Sequence, residues 1–273
     1  MVMAGASITE SLLEADARGE TIGPAGLTFL IRRYATAGGD ELRPALERGL
    51  TQALDRVAGG DSAPAWIRVL CEAAAITDDE RIASAVADAS RALRGGWPCR
   101  GSLLDATRSV DACLASAILL DDRGSIGQTI DELERIVGLA YRPGEKLPLS
   151  LRNPDEPDGG IEEHVAAASA LLDAHDLTAR LPYSMLAEEL IQPWRVDHDT
   201  GGIAVRCTFA RVLGRLARLH DDEDYVRAAV VARAGGYRAE ARAVLDGVAR
   251  SVDASREDAA LFGIVTDELA RTS

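Results

Sequence analysis

Two histidines in this sequence sit among carboxylates, a setting in which an imidazole held near neutral pKa can act as a general base. His164 follows Glu162 and Glu163, and His198 lies between Asp197 and Asp199. Glu163, His164, Asp197 and His198 are therefore the candidate catalytic residues. Trp97, Tyr141 and Trp194, with Asp105 and Asp158, fall in the same kind of segment and are the candidate substrate-binding residues. Aromatic faces beside carboxylates at a concave mouth suit sugar-ring recognition, and two acids either side of a scissile bond suit glycoside hydrolysis. The same residues also read as helix caps and as aromatics that close helix ends.

What positions them is a recurring helix pair. An apolar run, a short acidic turn and a second amphipathic run repeat with a period of roughly 40 residues, the signature of stacked helical hairpins. The turns contain Asp40, Asp79, Asp122 and Asp222, and a fifth, around Thr178, is less acidic. Spacing of apolar residues predicts helices near 7–18, 25–36, 41–57, 64–76, 80–94, 105–120 and 125–140. It predicts six more near 161–176, 180–192, 203–219, 223–234, 238–250 and 256–271. Strand signals are nearly absent. Each longer connection carries a Gly-Gly step just ahead of the more apolar helix: Gly59-Gly60, Gly95-Gly96, Gly159-Gly160 and Gly201-Gly202.

If the first helix of each pair lines the inside, the Gly-Gly loops share one rim and the acidic turns the other. The candidate residues all belong to the Gly-Gly rim. The segment from Tyr141 to Gly160, with prolines at 143, 148, 154 and 157, is a rim loop too long for a plain connector. At the acidic rim, aspartates in tight turns are expected to cap the next helix and to complement its dipole. The run Asp221-Asp222-Glu223-Asp224-Tyr225 also approximates a magnesium-binding aspartate motif, the basis of a third, terpenoid-lyase reading. No second such motif accompanies it.

Composition narrows the partners. The chain has 273 residues and a formal charge of −14, and Lys146 is its sole lysine, which argues against a nucleic-acid groove. Its arginines are dispersed among acids and read as solvated helix faces. No apolar run is long enough to span a membrane, and the N-terminus lacks a basic segment followed by an apolar one, so a cytoplasmic location is expected. Cys71, Cys99, Cys113 and Cys207 are far apart and read as reduced core residues, with no metal or cofactor motif.

The run from Asp199 to Val226, Asp-Thr-Gly-Gly-Ile-Ala-Val-Arg-Cys-Thr-Phe-Ala-Arg-Val-Leu-Gly-Arg-Leu-Ala-Arg-Leu-His-Asp-Asp-Glu-Asp-Tyr-Val, resembles the final repeat of the α/α toroid in a family of thioredoxin-domain proteins. Glu188 to Asp197 resembles the passage from helix to rim in that repeat. That toroid is similar in turn to N-acylglucosamine 2-epimerases and six-hairpin glycosidases. The resemblance covers residues 161–271, and the rest of the chain only as repeat pattern; no thioredoxin-like domain is read here. It implies an all-α toroid of five to six hairpins and, from the epimerases, a role for paired rim histidines. The reading is one α/α-toroid domain over 1–273, carbohydrate-active or sugar-binding at the Gly-Gly rim. The alternative is a non-catalytic helical-repeat scaffold that binds a protein partner.

Overall fold

The computed structural model describes residues 2–60, 63–156, 158–196, 200–229, 235–250 and 256–271. In chain order the helices are α1 (Val2–Ala17), α2 (Pro24–Ala37), α3 (Arg43–Ala58), α4 (Pro64–Ala73), α5 (Glu80–Gly95), α6 (Leu103–Leu119) and α7 (Arg123–Ala140). They continue as α8 (Ile161–Thr178), α9 (Leu181–Ile191), α10 (Ile203–His220), α11 (Glu223–Ala228), α12 (Tyr237–Ala249) and α13 (Arg256–Arg271). Among the described residues the extended structure is a single bridge between Ser102 and Ser150.

Helices α2, α4, α6, α8, α10 and α13 each touch the next, and α13 returns to α2, so six inner helices close a ring. The others stand outside it: α3 against α2 and α4, α5 against α4 and α6, α7 against α6, α9 against α8, and α12 against α10. Helix α1 packs on α13, which makes the chain's two end helices the sixth hairpin. The fold is an α/α toroid.

Patterning explains which helix goes where. Outer α5 buries a stripe, Ile82, Val86 and Ala89, and leaves its other face to solvent. Inner α8 buries Val165, Ala167, Ala168, Ala170, Leu171 and Leu172 on successive sides, as a helix enclosed by neighbours must. The apolar core is thus an annulus between the two rings, with Leu27, Leu30, Ile67 and Leu70 in one cluster and Leu103, Val165, Phe209 and Leu213 in the other. Burying each such side chain stabilises the fold by about 1.5–3 kcal/mol. At Gly214, α10 comes so near α13 that a Cβ there would stand 2.2 Å from Leu269 Cδ2.

The acidic turns cap helices at three of four places. The Asp79 carboxylate accepts from the Arg81 amide at 3.0 Å, Asp122 from Ser125 at 3.0 Å, and Asp222 from Asp224 at 2.8 Å. Asp40 does not, because α3 begins after Leu42 with Pro44 in its first turn; Asp40 is exposed, 3.9 Å from Arg43. Two boundaries also differ from the periodicity. Helix α1 starts at Val2, since Ala4, Ala6 and their neighbours favour helix ahead of Ser7. Helix α11 ends at Ala228.

Candidate functional site

The six inner helices enclose a cavity of about 460 Å³. It begins among their first turns, at Pro24, Ala65, Leu104, Glu162, Ala204 and Glu257, which is the Gly-Gly rim. Its wall is apolar or small at Val69, Val165, Ala166 and Ile264, and five arginines and five carboxylates project from it.

All five carboxylates are partnered. Near the mouth, Arg108 donates to Glu162 at 2.8 Å. Glu257 accepts from the backbone N–H of Ala25 at 2.9 Å and of Gly26 at 3.1 Å, so α13 caps the first turn of α2. Deeper, Arg32 makes a two-pronged bond to Glu72, each prong 2.7 Å, and also reaches Glu268. Arg211 meets Glu268 at 2.7 Å. Arg68 meets Asp111 at 3.0 Å, and Arg215 stands 2.8 Å from Asp173 and 2.9 Å from Asp176.

Asp111 and Asp173 hydrogen-bond to each other, and their environments drive them apart. Burial alone would raise the Asp111 carboxyl, but Arg68, the bond from Asp173 and the charges of Arg215 and Arg211 outweigh it and hold the group below the usual range. Burial and the adjoining Asp111 push Asp173 up to about 7 against the pull of Arg215 and Arg68. One proton shared by two buried carboxyls has this signature.

Three of the residues singled out from sequence, Glu163, His164 and Trp194, lie beside the rim loop 141–160. That loop is tied down by Leu103 N–H to Leu149 O at 3.0 Å, Leu151 N–H to Gly101 O at 2.8 Å and Gly159 N–H to Leu147 O at 3.0 Å. His164 is 2% exposed: its Nδ1 is 2.7 Å from Gly160 O, and its Nε2 accepts the Leu147 N–H at 3.1 Å. Burial lowers its pKa, so the ring is neutral and carries its proton on Nδ1. Glu163 accepts from Gly160 N–H at 2.8 Å. Trp194 stacks edge-on against His164 with ring centres 5.3 Å apart, and Lys146 lies over its other side at 5.3 Å. The structure therefore brings Glu163, His164, Trp194 and the rim loop together.

The remaining candidates are dispersed. Tyr141 donates to Glu189 on α9 at 2.6 Å, and burial beside that carboxylate raises its phenol to about 12. Trp97 packs against the annular core, Asp105 is exposed in the first turn of α6, and Asp158 accepts from Leu149 N–H at 3.2 Å. None of these four, nor Glu163, His164 or Trp194, is a wall residue of the axial cavity. Asp197 and His198 lie outside the described residues. At the opposite rim, Asp222 is used as a cap and Asp221 pairs with Arg238 at 2.6 Å. No group of three metal-ligating side chains gathers among the described residues. The four cysteines are unbridged, and burial beside Glu132 raises the Cys99 thiol to about 11, far from a reactive thiolate.

Sequence reasoning missed Arg32, Arg68, Asp173, Arg211 and Arg215, and it assigns Asp111 to the rim where the structure has it in the cavity wall. A signal was present: apart from Arg68, about one turn into α4, each stands two to three turns into an inner helix, on the face that also shows small residues such as Thr28, Thr107, Ser169 and Thr208.

With this geometry in hand, comparison with known proteins places the fold. No family model and no curated protein matches the chain. Solved structures do. An α-1,6-mannanase, GH76A of Salegentibacter sp. HEL1_6, is similar with a TM-score of 0.66 at 14% identity, over 99% of each chain. That structure is an inactive variant, with two consecutive aspartates replaced by alanine, in complex with α-1,6-mannotetrose. The unsubstituted enzyme gives a TM-score of 0.63 at 12% identity, over 99% of this chain and all of that one. The chain thus has the six-hairpin, glycosidase-like α/α-toroid architecture from end to end. Of the resemblance read from residues 188–226, the toroid is supported and the thioredoxin link is not.

Proposed function

We propose that the protein is carbohydrate-active and takes the end of a sugar chain into the axial cavity from the Gly-Gly rim. The observation that carries this reading is the cavity, about 460 Å³ and enclosed by all six inner helices, with paired carboxylates and guanidiniums fixed on a small-residue wall. That volume is in the range of small-molecule sites, and such pairs offer adjacent donors and acceptors to neighbouring sugar hydroxyls. An α-1,6-mannanase of the same fold, whose inactive variant is in complex with α-1,6-mannotetrose, supports the choice of ligand class.

Two carboxylate pairs of the cavity are badly spaced for cleavage. Asp111 and Asp173 touch, and Glu162 precedes Asp173 by eleven residues, roughly 16 Å of helix rise. Acids flanking a glycosidic bond stand about 5–9.5 Å apart. We therefore assign cleavage to the rim, with Asp197 and His198 as the acid–base residues and Glu163 and His164 holding the rim loop through Gly160 and Leu147. Trp97, Tyr141, Trp194, Asp105 and Asp158 shape the approach.

The test is calorimetric titration with α-1,6-mannotriose together with an assay of reducing-end release. Ala166→Trp fills the cavity wall and is expected to weaken binding by at least about tenfold, a loss of ~1.4 kcal/mol. Asp197→Asn is expected to abolish cleavage and leave binding intact. Undiminished binding in Ala166→Trp sinks the cavity assignment, and unchanged cleavage in Asp197→Asn sinks the rim assignment.

A further inference from the structure

The axial cavity has a counterpart at the other end of the ring. Among the last turns of the inner helices lies a vestibule of about 360 Å³, on the side of the acidic turns. Six arginines line it, Arg32, Arg68, Arg211, Arg215, Arg218 and Arg271, against three carboxylates, Asp173, Asp176 and Glu268. This excess sits in a chain whose formal charge is −14.

The existing ion pairs account for part of it. Arg211 and Arg32 share Glu268, and Arg215 bridges Asp173 and Asp176. Arg218 and Arg271 meet no carboxylate among the described residues, and the polar contact of Arg271 is a 3.5 Å approach to Thr36 Oγ1. Asp173 holds its proton up to about 7, which widens the imbalance at neutral pH. Guanidiniums crowded together repel one another, and an oxyanion relieves that repulsion while accepting paired N–H bonds in a geometry ammonium groups cannot match. Arg218 and Arg271 also lie in the last turns of α10 and α13, where a cation complements the helix dipole, so a purely structural role makes a distinct forecast.

We propose that this vestibule binds an oxyanion, the phosphate, sulfate or carboxylate group of a small ligand, between the unpaired Arg218 and Arg271 and the guanidiniums of Arg215 and Arg211. The site shares Arg211 and Arg215 with the wall of the axial cavity, while Arg218 and Arg271 belong to the vestibule and not to that wall.

The experiment titrates inorganic phosphate into the full chain at fixed ionic strength set with sodium chloride, following heat and the unfolding temperature. Saturable binding is expected, weakened at least about tenfold in Arg218→Ala/Arg271→Ala and unchanged in Arg91→Ala, a remote exposed arginine on α5. Arg108→Ala at the opposite mouth is expected to bind phosphate as the parent does. The proposal is overturned if phosphate acts no differently from chloride, if the double variant loses stability but keeps its phosphate affinity, or if the loss appears in Arg108→Ala instead.

Discussion

At the scale of single residues, Asp173 sets a measurable pH dependence. A solvated aspartate gives up its proton near pH 3.9, whereas Asp173 holds its own up to about 7. Between those values the unfolded chain ionises this group and the folded protein does not, so folding takes up a proton and stability falls as pH rises. Below both values the contribution is fully present, and above about 7 its loss is complete. Asp111 acts in the opposite sense: its carboxyl is depressed, so its contribution is present above its unfolded value and fails only in stronger acid. Asp173→Asn replaces the shared proton by an amide N–H that can still donate to Asp111, and removes the titration. The unfolding temperature of the variant relative to the parent is expected to climb from about pH 5 to about pH 7 and then level off. A flat difference in calorimetry over that interval shows that the two carboxyls do not share a proton.

At the scale of elements, what is local was legible and what is convergent was not. The inner and outer assignment of helices and the two rims follow from periodicity and from the Gly-Gly and acidic turns, each a signal contained within a few residues. The arginines and acids of the interior gave no such signal. Arg68, Asp111, Asp173 and Arg215 stand on four different helices, and each alone looks like a solvated face; their meeting is a product of ring closure. The rim histidine failed in a similar way, since Glu162-Glu163-His164 reads as exposed acid–base chemistry until the loop 141–160 folds over it. Glu257 is another long-range case: it caps α2 from α13, across the seam where the ring closes. Glu257→Gln leaves one accepting oxygen for two N–H groups and removes a charge from a helix N-terminus, at a cost of about 1–2 kcal/mol. The first turn of α2 is expected to exchange its amide hydrogens faster while α6 is unaffected. Equal exchange in parent and variant means that the seam is held by packing alone.

At the scale of the molecule, the ion pairs form a circuit. One arc runs from α4 through α2 and α13 to α10, by Glu72, Arg32, Glu268 and Arg211. The other runs from α4 through α6 and α8 to α10, by Arg68, Asp111, Asp173 and Arg215. The arcs meet along α4 and α10, so every inner helix is tied into one layer that lies between the axial cavity above and the arginine vestibule below. Such a layer fixes the ring's register more than it adds net stability, because burying charges consumes much of what their attraction returns. Its arrangement makes a forecast about coupling. Glu72 and Glu268 both serve Arg32, whose side chain is 28% exposed and whose protonated form they favour against burial. Glu72→Gln or Glu268→Gln alone leaves Arg32 one carboxylate and is expected to cost about 1–2 kcal/mol, a buried-pair loss discounted for solvent screening. Together they strand the guanidinium, so the double variant is expected to lose more than the two single losses combined. Glu268→Gln and Asp111→Asn lie on opposite arcs, share no hydrogen-bonded partner and meet only through the longer-range charge of Arg211, so their costs are expected to couple more weakly than those of Glu72→Gln and Glu268→Gln. Denaturant unfolding of the three single variants and two doubles decides it: additivity on one arc together with strong coupling across the two would replace this circuit with a different wiring of the same charges.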